Sequence, residues 1–112
     1  MNAKPPELER DFQGAVIETA RLAGWKVAHF RAARTRHGWR TPVAADGAGF
    51  PDLLLVRGAQ LVAAELKSAA GKVAGAQAEW LDALDGAGVA VYVWRPDDWP
   101  EVVETLTGKA PA

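Results

Sequence analysis

The chain contains no cysteine, which excludes a disulfide framework and any thiolate metal site. It has no apolar run long enough to cross a bilayer. Its first residues, Met1-Asn2-Ala3-Lys4-Pro5-Pro6, lack the apolar stretch of a signal peptide. It also lacks an excess of either charge, with 13 Lys+Arg against 14 Asp+Glu and a net charge of −1, so it is no polycation. No internal repeat and no long low-complexity tract occurs. The expectation is a cytoplasmic protein, independent of membranes, and the missing thiols suit a reducing compartment.

What is present fits one small globular domain. The 112 residues are 49% apolar and 24% charged, enough for one modest core and not for two. The domain is read as spanning residues 1–112, with its core over about 7–107.

Apolar periodicity predicts a helix from about Glu7 to Ala23. Leu8, Phe12, Ala15, Val16, Thr19, Ala20 and Ala23 form one stripe, and Gly24 stops it. Trp25 to Phe30 reads as a short strand. The stretch from Arg31 to Gly49 is polar and shows no clear periodicity. At roughly nineteen residues it exceeds the usual connection in a compact domain, which points to a functional or disordered loop. Asp52–Val56 and Leu61–Lys67 read as two strands joined by a hairpin, with Gly58-Ala59 at the turn. Lys72 to Asp85 reads as a helix, Val89–Trp94 as a buried strand, and a last helix starts at Asp97 or Asp98 and runs to about Leu106. The fold class is therefore α/β, a mixed sheet flanked by helices.

The hairpin carries the chemistry. If Gly58-Ala59 is the turn, Arg57 pairs with Gln60 and Asp52 lies opposite Glu65. Directly opposed residues share a sheet face, and Lys67 joins that face because side chains alternate. Two opposed carboxylates repel and need a cation or a raised pKa. A hard divalent cation such as Mg²⁺ binds through one or two carboxylates plus waters and phosphate oxygens. Asp52 and Glu65 fit that demand, and the Ala64 carbonyl offers a further oxygen. Lys67 is placed to orient a water or to stabilise charge on phosphorus. No competing covalent nucleophile stands out, since Ser68 lacks an obvious paired base.

A second feature is basic. Arg31, Arg34, Arg36 and Arg40 fall within ten residues, with His37 and Trp39 among them and no acidic residue between. They are candidate phosphate contacts, with Lys72 beyond the hairpin. Trp39 either stacks on a base or packs under its own loop. Gly71-Lys72 is not a phosphate-binding loop, because Leu66 stands where the upstream glycine is required, so no nucleotide cofactor is expected.

Gly49-Phe50-Pro51-Asp52, a hairpin, and then Glu65-Leu66-Lys67 resemble the PD-(D/E)xK nuclease motif. The surroundings resemble its VRR-NUC branch: a first helix with Glu9 and Phe12-Gln13, Gly24-Trp25, PDLLLVR, AELKS, Gln77 with Glu79-Trp80-Leu81, and Gly88 followed by VYVWRPDDW. The likeness covers most of the chain and is weakest over Arg31–Ala48. It implies a restriction-endonuclease-like αβββαβ core, dependence on Mg²⁺ or Mn²⁺, and hydrolysis of DNA phosphodiester bonds. It further implies a homodimer similar to Holliday-junction resolvases, acting on branched DNA. By the same resemblance Glu9 joins the metal site and Gln77 supports catalysis. Two other readings stand beside it. One is a non-catalytic nucleic-acid-binding module on this scaffold. The other is an interaction domain that uses the flat sheet edge.

Overall fold

The computed structural model describes residues 9–30, 33–35, 38–40 and 43–108, with side chains over 11–30 and 43–108. Helix α1 (Glu9–Leu22) leads into strand β1 (Lys26–His29). Strands β2 (Ala33–Thr35) and β3 (Gly38–Arg40) follow, then β4 (Leu53–Arg57) and β5 (Gln60–Leu66). Helix α2 (Gly75–Gly86), strand β6 (Ala90–Trp94), a 3-10 turn (Pro96–Asp98) and helix α3 (Trp99–Thr107) complete the chain. The main sheet has the order β1-β4-β5-β6. Its first two pairings are antiparallel, and β5 runs parallel to β6. This is the mixed, helix-flanked sheet expected from the sequence.

One face of the sheet holds the core. Phe12, Val16 and Ala20 are spaced by four on α1 and fully buried. They meet Leu53 and Leu55 of β4, Val62, Ala64 and Leu66 of β5, Trp94, and Val102 and Leu106 of α3. Each large side chain buried this way contributes about 1.5–3 kcal/mol. The α1 helix ends in a paired-bond cap: Trp25 N–H reaches the Ala20 carbonyl and Gly24 N–H reaches that of Arg21. Gly24 takes the left-handed conformation this cap requires, at φ 93°. The cap delivers Trp25 into the core, where its indole N–H donates to the Leu106 carbonyl at 2.8 Å. Arg57 lies 4.6 Å over the Trp25 ring and donates to the carbonyls of Ala23 and Leu106. One cation thus ties together the ends of α1, β4 and α3.

The β4–β5 register is the one the sequence arithmetic predicts. Arg57 pairs with Gln60 and Leu53 with Ala64. Gly58 sits at the first central turn position with φ 60°, as a two-residue hairpin with glycine there requires.

The expected loop from Arg31 to Gly49 is corrected in part. Residues 33–35 and 38–40 form a second, two-stranded sheet in which Ala33 pairs with Arg40, Arg34 with Trp39, and Thr35 with Gly38. Strands of three residues are too short for alternation to register in a sequence. Helix α2 also starts later than expected, at Gly75 rather than Lys72.

The remaining connection, residues 43–50, is pinned to α2. Trp80 donates its indole N–H to the Asp46 carbonyl at 2.9 Å. Phe50 meets Trp80 edge to face at 5.0 Å. Gly49 makes the closest approach: a Cβ there would lie 2.6 Å from the Ala76 carbonyl carbon, at a φ of 87°. Strain and overlap act together, so Gly49→Ala is expected to lower unfolding free energy by roughly 2 kcal/mol or more, measured by urea denaturation.

Candidate active site

The last ladder pair of the hairpin, Leu53 with Ala64, leaves Asp52 and Glu65 as the next opposed residues. Alternation sends Leu53, Ala64 and Leu66 into the core and Asp52, Glu65 and Lys67 to the opposite face. Glu65 is nonetheless only 2% exposed. A charge buried so deeply needs partners, and two side chains supply them.

Lys67 places Nζ 3.2 Å from Glu65 Oε2, with its side chain 14% exposed. Gln77, in the first turn of α2, donates its amide Nε2–H to the same oxygen at 2.6 Å. Its orientation is dictated by its other end, where Oε1 accepts the Ala74 N–H at 2.8 Å. Ala74 precedes α2 and has no side chain able to cap it, so Gln77 reaches back to satisfy that donor. One side chain therefore caps the helix and holds Glu65. Asp52 is fixed by the backbone: Leu66 N–H donates to Oδ2 at 2.8 Å. Because β4 begins at Leu53, the Asp52 carboxylate stands in for the ladder acceptor that the Leu66 amide would otherwise lack.

The electrostatics follow. Burial is the largest influence on Glu65, and the neighbouring Asp52 charge adds to it, so its pKa is pushed up to about 7 despite Lys67. Burial also raises Asp52, opposed by the Leu66 N–H, Lys67, His29 and a hydrogen bond with Glu65. Both carboxyls thus sit in an environment short of positive charge.

The donor set fits a hard divalent cation. Two opposed carboxyls, each held by a fixed partner, present oxygens to one patch, and a cation there would offset the burial that raises both pKa values and the Asp52 charge that adds to the rise at Glu65. Among the described residues no cluster of three or more His, Asp or Glu could hold a metal. Among the described residues the carboxylates that meet there are Asp52 and Glu65. Ala64 is buried inside the ladder, opposite Leu53. Leu66 has the same parity two residues beyond Ala64, so its carbonyl lies on the edge that its N–H shares with Asp52.

The structure brings together Asp52, Glu65, Lys67 and Gln77. Lys72 is exposed on the connection between β5 and α2. Arg31 and Arg36 lie outside the described residues, as do the side chains of Glu9, Arg34 and Arg40. Sequence reasoning missed Arg95, which follows β6 and donates Nη1–H bonds to the carbonyls of Ser68 and Gly71. It thereby anchors the turn between Lys67 and α2. A lone arginine after a strand carries no signal for this.

The profile of the VRR-NUC domain matches residues 17–98. The chain belongs to the VRR-NUC family. The matched span contains Asp52, Glu65, Lys67 and Gln77 and leaves Glu9 outside. No curated protein matches the chain. Membership makes this a domain of a nuclease family built on a restriction-endonuclease-like core.

The carboxyl pair gives this VRR-NUC domain a pH signature. Glu65 titrates near 7 when folded, against 4.5 for an unperturbed glutamate. The folded state therefore holds a proton that the unfolded chain releases first. The resulting stability is present below about pH 4.5 and is lost as pH rises through 7. Asp52 shifts in the same direction. In EDTA, stability should fall between pH 5 and pH 8. Glu65→Gln should flatten that fall and stabilise the protein at pH 8 by on the order of 1–3 kcal/mol, measured by chemical denaturation at both pH values. An unchanged slope in the variant would rule out this origin.

Proposed function

We propose that the chain is a metal-dependent endonuclease that hydrolyses phosphodiester bonds in DNA, preferring branched or otherwise structured substrates. The observation that carries this reading is the meeting of Asp52 and Glu65 across the hairpin with the Lys67 ammonium on Glu65. That combination supplies acidic ligands and a cation on one face, in a family of nucleases.

Asp52 and Glu65, with the Leu66 carbonyl, would hold Mg²⁺ or Mn²⁺. When bound, the ion supplies Lewis-acid polarisation of the scissile phosphate and a lowered pKa for water. The chain does the rest by position. Gln77 keeps the Glu65 oxygens aimed while its other end is locked to Ala74. Lys67 orients the attacking water and stabilises the negative charge that grows on the phosphoryl oxygens, a task worth about 10²–10³ in rate for a single well-placed donor.

DNA is held by the basic residues. Arg34 and Arg40 belong to the β2–β3 hairpin, and Arg31, Arg36 and the exposed Lys72 add to the positive charge that meets phosphates. A two-fold homodimer would set two such sites against the two strands of a symmetric junction.

With Mg²⁺ or Mn²⁺, pure protein should nick four-way junctions and flaps faster than continuous duplex. Asp52→Ala and Lys67→Ala should each lower that rate at least about 100-fold. Gel analysis of labelled junction, flap, duplex and single-stranded DNA reads this directly. Equal rates for wild type and Lys67→Ala would reject the site. Metal-independent DNA binding with no nicking would instead mark a non-catalytic binding module.

A further inference from the structure

We propose that Phe30 is a stacking platform for an unpaired nucleobase beside the scissile phosphate, so that the site selects DNA carrying an unpaired nucleotide at the cut. The inference rests on the nuclease reading above and names what that site prefers. His29 pairs with Leu53, so the next step of the β1–β4 ladder places Phe30 opposite Asp52. The Phe30 N–H donates to the Asp52 carbonyl at 2.9 Å. Opposed residues share a face with Cβ atoms roughly 4.5–5.5 Å apart, which sets the phenyl ring beside the carboxyl pair.

The ring is not spent on the core. Phe30 remains 41% exposed, whereas Leu53 and Leu55 on the core face of the neighbouring strand are fully buried. It is also held still. Its ring meets Phe50 edge to face at 5.2 Å and 81°, Phe50 meets Trp80 in the same manner, and Trp80 is tied to the Asp46 carbonyl. Such a braced, half-open aromatic loses little freedom when a base stacks on it. The chain then runs directly from Phe30 into the acid-free stretch Arg31–Arg40. An aromatic surface adjoining positive charge is the combination that binds single-stranded nucleic acid, with stacking on the ring and phosphates on the cations. In continuous duplex the bases are stacked on each other and offer no free face, so the platform rewards a flap, gap or branch point.

The rival explanation is that Phe30 only braces the 43–50 connection through Phe50. Leucine separates the two, because it keeps apolar packing and removes the π face. Cleavage of a duplex with one unpaired nucleotide is compared with cleavage of continuous duplex for wild type, Phe30→Trp and Phe30→Leu. Thermal melts report folding, and Phe30→Met serves if leucine destabilises. The expected result is a preference kept by Phe30→Trp and lowered roughly ten-fold by Phe30→Leu, chiefly through KM. A single-stranded oligonucleotide carrying 2-aminopurine, titrated in EDTA, reads stacking without cleavage. Wild type and Phe30→Trp should quench it, and Phe30→Leu should not. Equal preference and equal quenching in wild type and Phe30→Leu would overturn the proposal. Quenching by a wild-type protein that cuts nothing would uphold the platform and sink the nuclease reading. Absence of wild-type quenching alongside metal-dependent cleavage would do the reverse.

Discussion

Two carboxyl groups face each other across the β4–β5 hairpin, and the rest of the structure accommodates them. Their opposition is a consequence of register. A slip of one residue would turn Glu65 and Asp52 toward Phe12, Val16 and Leu106 and bring Leu66 and Ala64 to the outer face. The hydrophobic set on β4 and β5 therefore sets the chemistry as firmly as it sets the fold. The Gly58 turn and the core packing agree on one register, and that agreement holds an unfavourable charge pair in place.

The cost of that pair is spread over groups that each have a structural task of their own. Leu66 N–H has no ladder acceptor where β4 ends, and the Asp52 carboxylate supplies one. Ala74 cannot cap α2, and Gln77 does so while turning its amide N–H toward Glu65. Arg95 gathers the carbonyls of Ser68 and Gly71, steadying the turn that leads from Lys67 to α2. A Cβ on Gly71 would come within 3.5 Å of the Lys67 side chain, which shows how closely that turn and the lysine stem are packed. Helix capping, turn anchoring and charge positioning are thus one network, and a substitution in any of them reaches Glu65.

Much of this was legible in the sequence because it depends on period and parity. The alternation in DLLLV and LVAAELK, with glycine between them, yields the register, the shared face of Asp52, Glu65 and Lys67, and the core residues. The stripe on α1 and the β-prone run before Trp94 are equally direct. The β2–β3 hairpin was hidden, since three-residue strands leave no period to read. The start of α2 was misplaced because its cap comes from Gln77, three residues inside the helix, and not from Ala74. The packing of Gly49 on Ala76 and the grip of Arg95 are tertiary contacts that no local pattern announces.

The two faces of the sheet differ in how far they are covered, and this difference bears on access. Helices α1 and α3 close one face, where Leu53, Leu55, Leu66 and Trp94 are fully buried or nearly so. On the other, α2 packs on β6 and contacts Glu65 from that side. Among the described residues Phe30 beside β1, Val56 on β4 and Leu61 near the start of β5 remain substantially exposed on this face. The carboxyl pair sits at the border between the covered and open halves. Burial raises its proton affinity. A fully covered sheet would gain stability and close the site. A fully open one would let water solvate Glu65 and remove the charge deficit that favours a divalent cation. Half a layer of helix satisfies both demands, and it is Gln77, at the edge of that half layer, that marks where the protein stops and the site begins.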